Sequence, residues 1–176
     1  LGTAMGHENR TRENFFENRT HLEYETHENF FENRTHEEEH SKIFIKNHTK
    51  FKHLTVSNHS ELHLEDCDIS SDEPVYVSGI MNVAGAVKIR NTILVLTQGS
   101  SITNNGTIFL GNSSQIVVEK TADINLMNNI VSTGTDFGLV INGTVKTMNV
   151  SIDTPILINP DSQFIVQDET RVKDVD

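Results

Sequence analysis

Ile102-Thr103-Asn104-Asn105-Gly106-Thr107-Ile108-Phe109-Leu110 places apolar residues at every second position on either side of an Asn-Asn-Gly break. Alternation with a period of two reads as a strand with one buried face, and Asn-Gly punctuation reads as a tight corner. The second half of this stretch follows a simple frame: a small residue, any residue, apolar, any, apolar. The same frame opens at Ser60-Glu61-Leu62-His63-Leu64, Gly85-Ala86-Val87-Lys88-Ile89 and Ala122-Asp123-Ile124-Asn125-Leu126. Weaker copies follow at Gly143-Thr144-Val145-Lys146-Thr147 and Ser162-Gln163-Phe164-Ile165-Val166.

A recurrence near twenty residues suits a β-solenoid, in which each coil is one repeat and successive coils stack their inward aliphatic side chains. Between the frames lie further short runs: Ile43-Phe44-Ile45, Val75-Tyr76-Val77, Ile93 to Leu96, Ile116 to Val118, Leu139 to Ile141 and Ile156 to Ile158. All are three to five residues long and rich in Val and Ile. The expected class is all-β, a parallel β-helix or solenoid. A β-sandwich is the alternative that explains the same runs. The pattern resembles the coils of filamentous-haemagglutinin-type adhesins and of viral tail fibres. That resemblance implies a structural or adhesive surface protein.

Residues 1–41 differ from residues 42–176. The first segment is rich in Glu, Asn, Thr and His, and it repeats itself. Glu13-Asn14-Phe15-Phe16-Glu17-Asn18-Arg19-Thr20-His21 returns as Glu28-Asn29-Phe30-Phe31-Glu32-Asn33-Arg34-Thr35-His36. As a helix this 15-residue period gives about 3.75 residues per turn, which favours a slight right-handed supercoil. Phe16, Thr20, Tyr24, His27, Phe31 and Thr35 then share one stripe. Such an arm resembles the pentadecad stalks of trimeric surface adhesins. Asn, Thr and His are mediocre helix formers, so an extended arm ordered against a neighbouring chain is the other expectation. Either way Phe15, Phe16, Leu22, Tyr24, Phe30 and Phe31 are the candidate oligomerisation residues.

Composition narrows the function classes. The 176 residues carry a formal net charge of −11, 35% hydrophobic residues, no Trp and two Tyr. An acidic chain repels phosphate backbones and anionic headgroups, which argues against nucleic acid and membrane surfaces as partners. No apolar run approaches the ~18 residues of a membrane span. Leu1 to Gly6 lack the basic and apolar regions of a signal peptide. Cys67 is the sole cysteine, so no intrachain disulfide forms. Asn-x-Ser/Thr sequons begin at Asn9, Asn18, Asn33, Asn47, Asn58, Asn105, Asn112, Asn142 and Asn149. They are candidate glycosylation sites, which points outside the cell, and they are equally the composition of β-turns.

Catalytic signals are weak. His36-Glu37-Glu38-Glu39-His40 formally matches H-E-x-x-H, whose two histidines bind zinc on a helix. Here the motif sits among Glu, Asn and Thr at the end of a repeat, without a third ligand. His36 with His40, and His59 with His63, are candidates only for adventitious zinc or for pH-gated assembly. Glu65, Asp66, Asp68, Asp72 and Glu73 form an acidic turn-like stretch before Pro74, where adventitious calcium is the minor option. Paired carboxylates also cleave glycosides, but no aromatic sugar platforms accompany these. The expectation is therefore a non-enzymatic extracellular fibre, filament or adhesin subunit, self-associating as a trimer or filament and requiring no cofactor. A carbohydrate-binding or carbohydrate-cleaving β-helix of tailspike type, with a glycan ligand, is one alternative. A His-mediated, metal- or pH-gated assembly module is the other.

Overall fold

The computed structural model describes residues 11–16, 19–24, 29–31 and 41–176. These residues are all-β, without a helix. Three strands come first: β1 (Thr11–Phe16), β2 (Arg19–Tyr24) and β3 (Asn29–Phe31). Seven coils follow. Coil 1 holds β4 (Lys42–Phe51) and β5 (Thr55–Val56), and coil 2 holds β6 (Glu61–Ser71) and β7 (Val75–Val77). Coil 3 holds β8 (Ile80–Arg90) and β9 (Ile93–Leu96). Coil 4 contributes β10 (Ser101–Thr103), β11 (Thr107–Leu110) and β12 (Gln115–Val118). Coil 5 has β13 (Asp123–Leu126), β14 (Ile130–Ser132) and β15 (Leu139–Ile141). Coil 6 has β16 (Thr144–Met148) and β17 (Ser151–Ile158), and coil 7 has β18 (Gln163–Gln167) and β19 (Arg171–Val175).

β1 and β2 pair antiparallel, whereas each strand of the coils pairs in parallel with its counterpart one coil away. Lys42 lies opposite Glu61, Glu61 opposite Ile80 and Ile80 opposite Ser101, steps of 19, 19 and 21 residues. The chain is thus a β-solenoid with three ladders. The first runs through β2, the leading halves of β4, β6 and β8, then β10, and resumes as β13, β16 and β18. The second runs through β3, the trailing halves of β4, β6 and β8, then β11, β14, β17 and β19. The third is β5, β7, β9, β12, β15 and the end of β17. Parallel pairing throughout coils 1–7 excludes the sandwich, whose sheets are antiparallel.

The core is a set of aliphatic columns. Ile43, Leu62 and Met81 stack in the first ladder, Val87, Ile108, Ile130 and Ile152 in the second, and Val56, Val77, Leu96, Val118 and Ile141 in the third. All are buried. Each such side chain contributes about 1.5–3 kcal/mol by leaving water, and only its column and the facing columns share that gain.

Corners decide where the chain may bend. Between the first and second ladders Asn47, Asp66, Gly85, Asn104, Asn149 and Asp168 all have positive φ, from 44° to 70°. Asn, Asp and Gly are the residues that enter this left-handed region at least cost. Their side chains also bridge coils: Asp66 Oδ1 accepts from the Ala86 amide at 2.9 Å. Between the third and first ladders the small residues Ser41, Ser60, Gly79, Ser100, Ala122 and Gly143 are buried at the bend. A Cβ on Gly79 would strike the Ser60 carbonyl, and one on Gly143 the carbonyls of Glu119 and Ala122. Between the second and third ladders a column of buried hydroxyls takes over. Thr92 Oγ1 accepts from the Ser71 amide at 2.8 Å and donates to the Arg90 carbonyl at 2.7 Å. Ser114 Oγ donates to the Ile89 carbonyl at 3.0 Å.

Two sequence expectations change here. The six frames do not form one column. Ser60, Ala122, Gly143 and Ser162 precede first-ladder strands, whereas Gly85 and Gly106 precede second-ladder strands. A small residue before an inward side chain occurs at both bends, so one motif marks two places. The helical stripe is also replaced by strands: residues 11–16, 19–24 and 29–31 are extended. β2 and β3 pair in parallel with β4, with His21 opposite Lys42 and Asn29 opposite Thr49. The open backbone edge of the first coil offers these Phe-, Tyr- and Thr-bearing segments ladder hydrogen bonds that outweigh a weak helix propensity.

Candidate interaction surfaces

Because coils 1 to 6 present the same three sides, the outward residues form rows across the ladders, and their chemistry differs from side to side. The second ladder is charged. His48, Asp68 and Lys88 are successive outward residues, and Lys50, Ser70 and Arg90 run beside them. Arg90 Nε donates to Asp68 Oδ1 at 2.8 Å, and Arg90 Nη2 lies 2.9 Å from His48 Nδ1. His48 Nδ1 is also 3.6 Å from Asp68 Oδ2. The first ladder is mixed polar: the rings of Phe44 and His63 stack with centroids 4.4 Å apart, and His63 Nε2 is 2.8 Å from Glu61 Oε1.

The third ladder carries no charge on its outer side. Its outward residues are Thr55, Tyr76, Ile93, Val95, Gln115, Val117, Val140 and Leu157. Tyr76, Val95, Val117, Val140 and Leu157 are registered on consecutive coils. Tyr76 is 40% exposed and Ile93 38%, whereas Val95 retains 8% because Tyr76 and Val117 flank it. The stripe is about 19 Å long at the ~4.8 Å strand spacing.

A groove of about 550 Å³ adjoins this stripe. Its walls are the bend at Gly111–Gln115 and the connection from Ser132 to Gly138, with Ile93 at its margin. Gln115 Nε2 donates to the Phe137 carbonyl at 3.0 Å and fastens the connection to the coil beneath.

The candidate residues read from sequence fall as follows. His36, His40, Asn9, Asn18 and Asn33 lie outside the described residues. Phe15 and Phe16 are on β1, Leu22 and Tyr24 on β2, and Phe30 and Phe31 on β3. Of the sequon asparagines, Asn47, Asn58, Asn105, Asn112 and Asn149 are exposed, whereas Asn142 is half-buried and accepts a hydrogen bond from Asn159. Asn47 and Asn149 themselves have positive φ, and Asn58, Asn105 and Asn112 each adjoin a residue that does. Corner geometry therefore favours asparagine at 47 and 149 independently of any sugar. The acidic stretch is divided among neighbours: Asp66 caps Ala86, Asp68 pairs with Arg90, Asp72 with Lys50 at 3.5 Å, and Glu73 with His53 at 3.7 Å. Among the described residues no group of three or more His, Cys, Asp or Glu is placed to hold a metal. His59 occupies a turn with φ of 70° and does not join His63. Cys67 is buried, and loss of solvation pushes its thiol up to about 12, with the neighbouring acids adding to the rise. No helix among the described residues is long and apolar enough to cross a membrane.

The groove and the uncharged side were not anticipated as sites. The available signal for the groove was the six-residue gap in alternation between Ser132 and Leu139. No protein-family model, curated protein or solved structure matches the chain.

Proposed function

We propose that this protein is a rigid structural subunit that works outside the cell by associating with copies of itself and displaying its remaining sides. The observation that carries this reading is the uncharged outer side of the third ladder in a chain of net charge −11. Two such chains repel each other except where both present neutral surface. Flat rows of Tyr76, Val95, Val117 and Val140 are self-complementary, as a two-fold contact requires. The stripe covers roughly 19 Å by 13 Å, well below the ~800 Å² per partner of a standard complex, so single contacts are weak and assembly is concentration-dependent. Exposed sequons at Asn47, Asn58, Asn105 and Asn149 are compatible with glycans on the flanks, and the inert Cys67 thiol with an oxidising compartment.

Light scattering over a concentration series, with electron microscopy, tests this. Dimers are expected for the wild type. Val117→Lys with Val140→Lys should give monomers of unchanged melting temperature, because both side chains point outward. A wild type that stays monomeric at millimolar concentration, or an assembly indifferent to the two lysines, would defeat the proposal.

A further inference from the structure

The connection between β14 and β15 exceeds what closing a coil requires. Equivalent bends span Lys52–Leu54, Asp72–Pro74, Asn91–Thr92 and Gly111–Ser114, and in coil 6 β17 turns without a break. Thr133–Gly138 is the longest of them, and Thr133, Gly134, Thr135 and Asp136 within it are exposed. Ordering six residues costs several kcal/mol of backbone entropy, and four of these bury nothing in return. An excursion on one side of a repeat protein commonly builds a binding face. Here the excursion, together with the next longest bend, forms the groove of about 550 Å³, a size that suits a small ligand.

We infer that this groove is a binding site for a neutral saccharide. Its lining contains no Lys, Arg or His, so nothing offsets the acidic chain's repulsion of an anion. The exposed side chains of Asn112, Ser113 and Asp136 make no hydrogen bond among the described residues and are open to a polar ligand. Phe137 is half-buried and Ile93 exposed at the margin, which supplies apolar contact beside the amide and hydroxyl groups. Sugars offer that same mixture, hydroxyls around the ring edge and C–H groups on its faces. A peptide strand would seek an open sheet edge instead, and the groove has none, because β12 and β15 pair with each other. The groove shares Ile93 and Gln115 with the uncharged side, but Val117 and Val140 lie outside its lining, so binding and self-association are tested by different residues.

An array of immobilised neutral oligosaccharides, probed with the full chain, tests the assignment. The wild type should bind a subset of the array. Asn112→Ala and Phe137→Ala should each weaken binding at least tenfold, while Val117→Lys with Val140→Lys leaves affinity per chain unchanged. Asn112 is exposed, so its variant folds even if Phe137→Ala does not; a melting curve verifies this. A wild type without hits overturns the inference. So do hits that survive Asn112→Ala, or hits confined to peptide controls.

Discussion

Coils 1 to 3 and coils 4 to 6 stack the same kinds of aliphatic column but join their rungs differently. In the first region β4, β6 and β8 run for 10, 11 and 11 residues, bending through a single left-handed residue without leaving the ladder. Their outer sides carry most of the ion pairs: Lys42 with Glu61, His48 and Arg90 with Asp68, Lys50 with Asp72, and His53 with Glu73. In the second region strands of three to five residues predominate, and neutral groups bridge the coils. Asn128 Nδ2 donates to the Gly106 carbonyl at 2.8 Å, Ser132 Oγ to Thr154 Oγ1 at 2.7 Å, and the Ser151 amide to Asn129 Oδ1 at 2.8 Å. Buried or directional bonds hold register wherever they lie, whereas exposed charges hold it feebly. Corner bonds of this kind also join coils 2 and 3, so the short strands and the excursion of the second region rest on its corners without long ladders beside them.

The largest test uses one bend from each region. Gly79→Ala and Gly143→Ala each force a Cβ against backbone carbonyls and should cost about 3 kcal/mol or more in urea unfolding. Equal losses mean that both regions share one bend geometry, and a cheap Gly143→Ala would show a looser second region. Next comes the buried hydroxyl column. Thr92→Val removes the acceptor of the Ser71 amide and should cost about 1–3 kcal/mol with little change in shape.

A pH-dependent effect belongs to the first region alone. Unfolding lets Cys67 return from about 12 to its ordinary 9.0, so between those values the folded state holds a proton that the unfolded state has released. Stability from this group is intact below pH 9 and falls above it by about 1.4 kcal/mol per pH unit. Cys67→Val should abolish that alkaline loss, whereas a persistent slope in the variant would place its origin elsewhere. The smallest effect is electrostatic. Arg90→Ala should cost no more than about 1 kcal/mol, less in high salt, because the pair is substantially exposed.

The sequence showed the alternation of Ile116-Val117-Val118 and Leu139-Val140-Ile141, and these are third-ladder strands with the expected faces inward. It also showed a period near twenty. The ladder assignment was illegible because Gly85 and Ala122 present the same local pattern before different bends. Helical reading of Phe16 to Thr35 followed a 15-residue period, a quantity that ignores the hydrogen-bonding edge β4 offers. The uncharged side emerges only when Tyr76, Val95 and Val117, about twenty residues apart in sequence, come into register. The Thr133–Gly138 stretch reads locally as turn chemistry, and nothing within those six residues reveals that neighbouring coils need fewer.

The parallel registry also has a mechanical side. A pull between coil 1 and coil 7 loads the outermost strand pairs one after another, as in peeling tape, and never the whole stack at once. Each coil that detaches releases about twenty residues, lengthening the tether by about 60 Å while the remaining coils keep their columns intact. Single-molecule extension should then show regular steps of that size and rezipping on relaxation. A chain built this way lengthens under strain and resets, where a globular domain would rupture in one event.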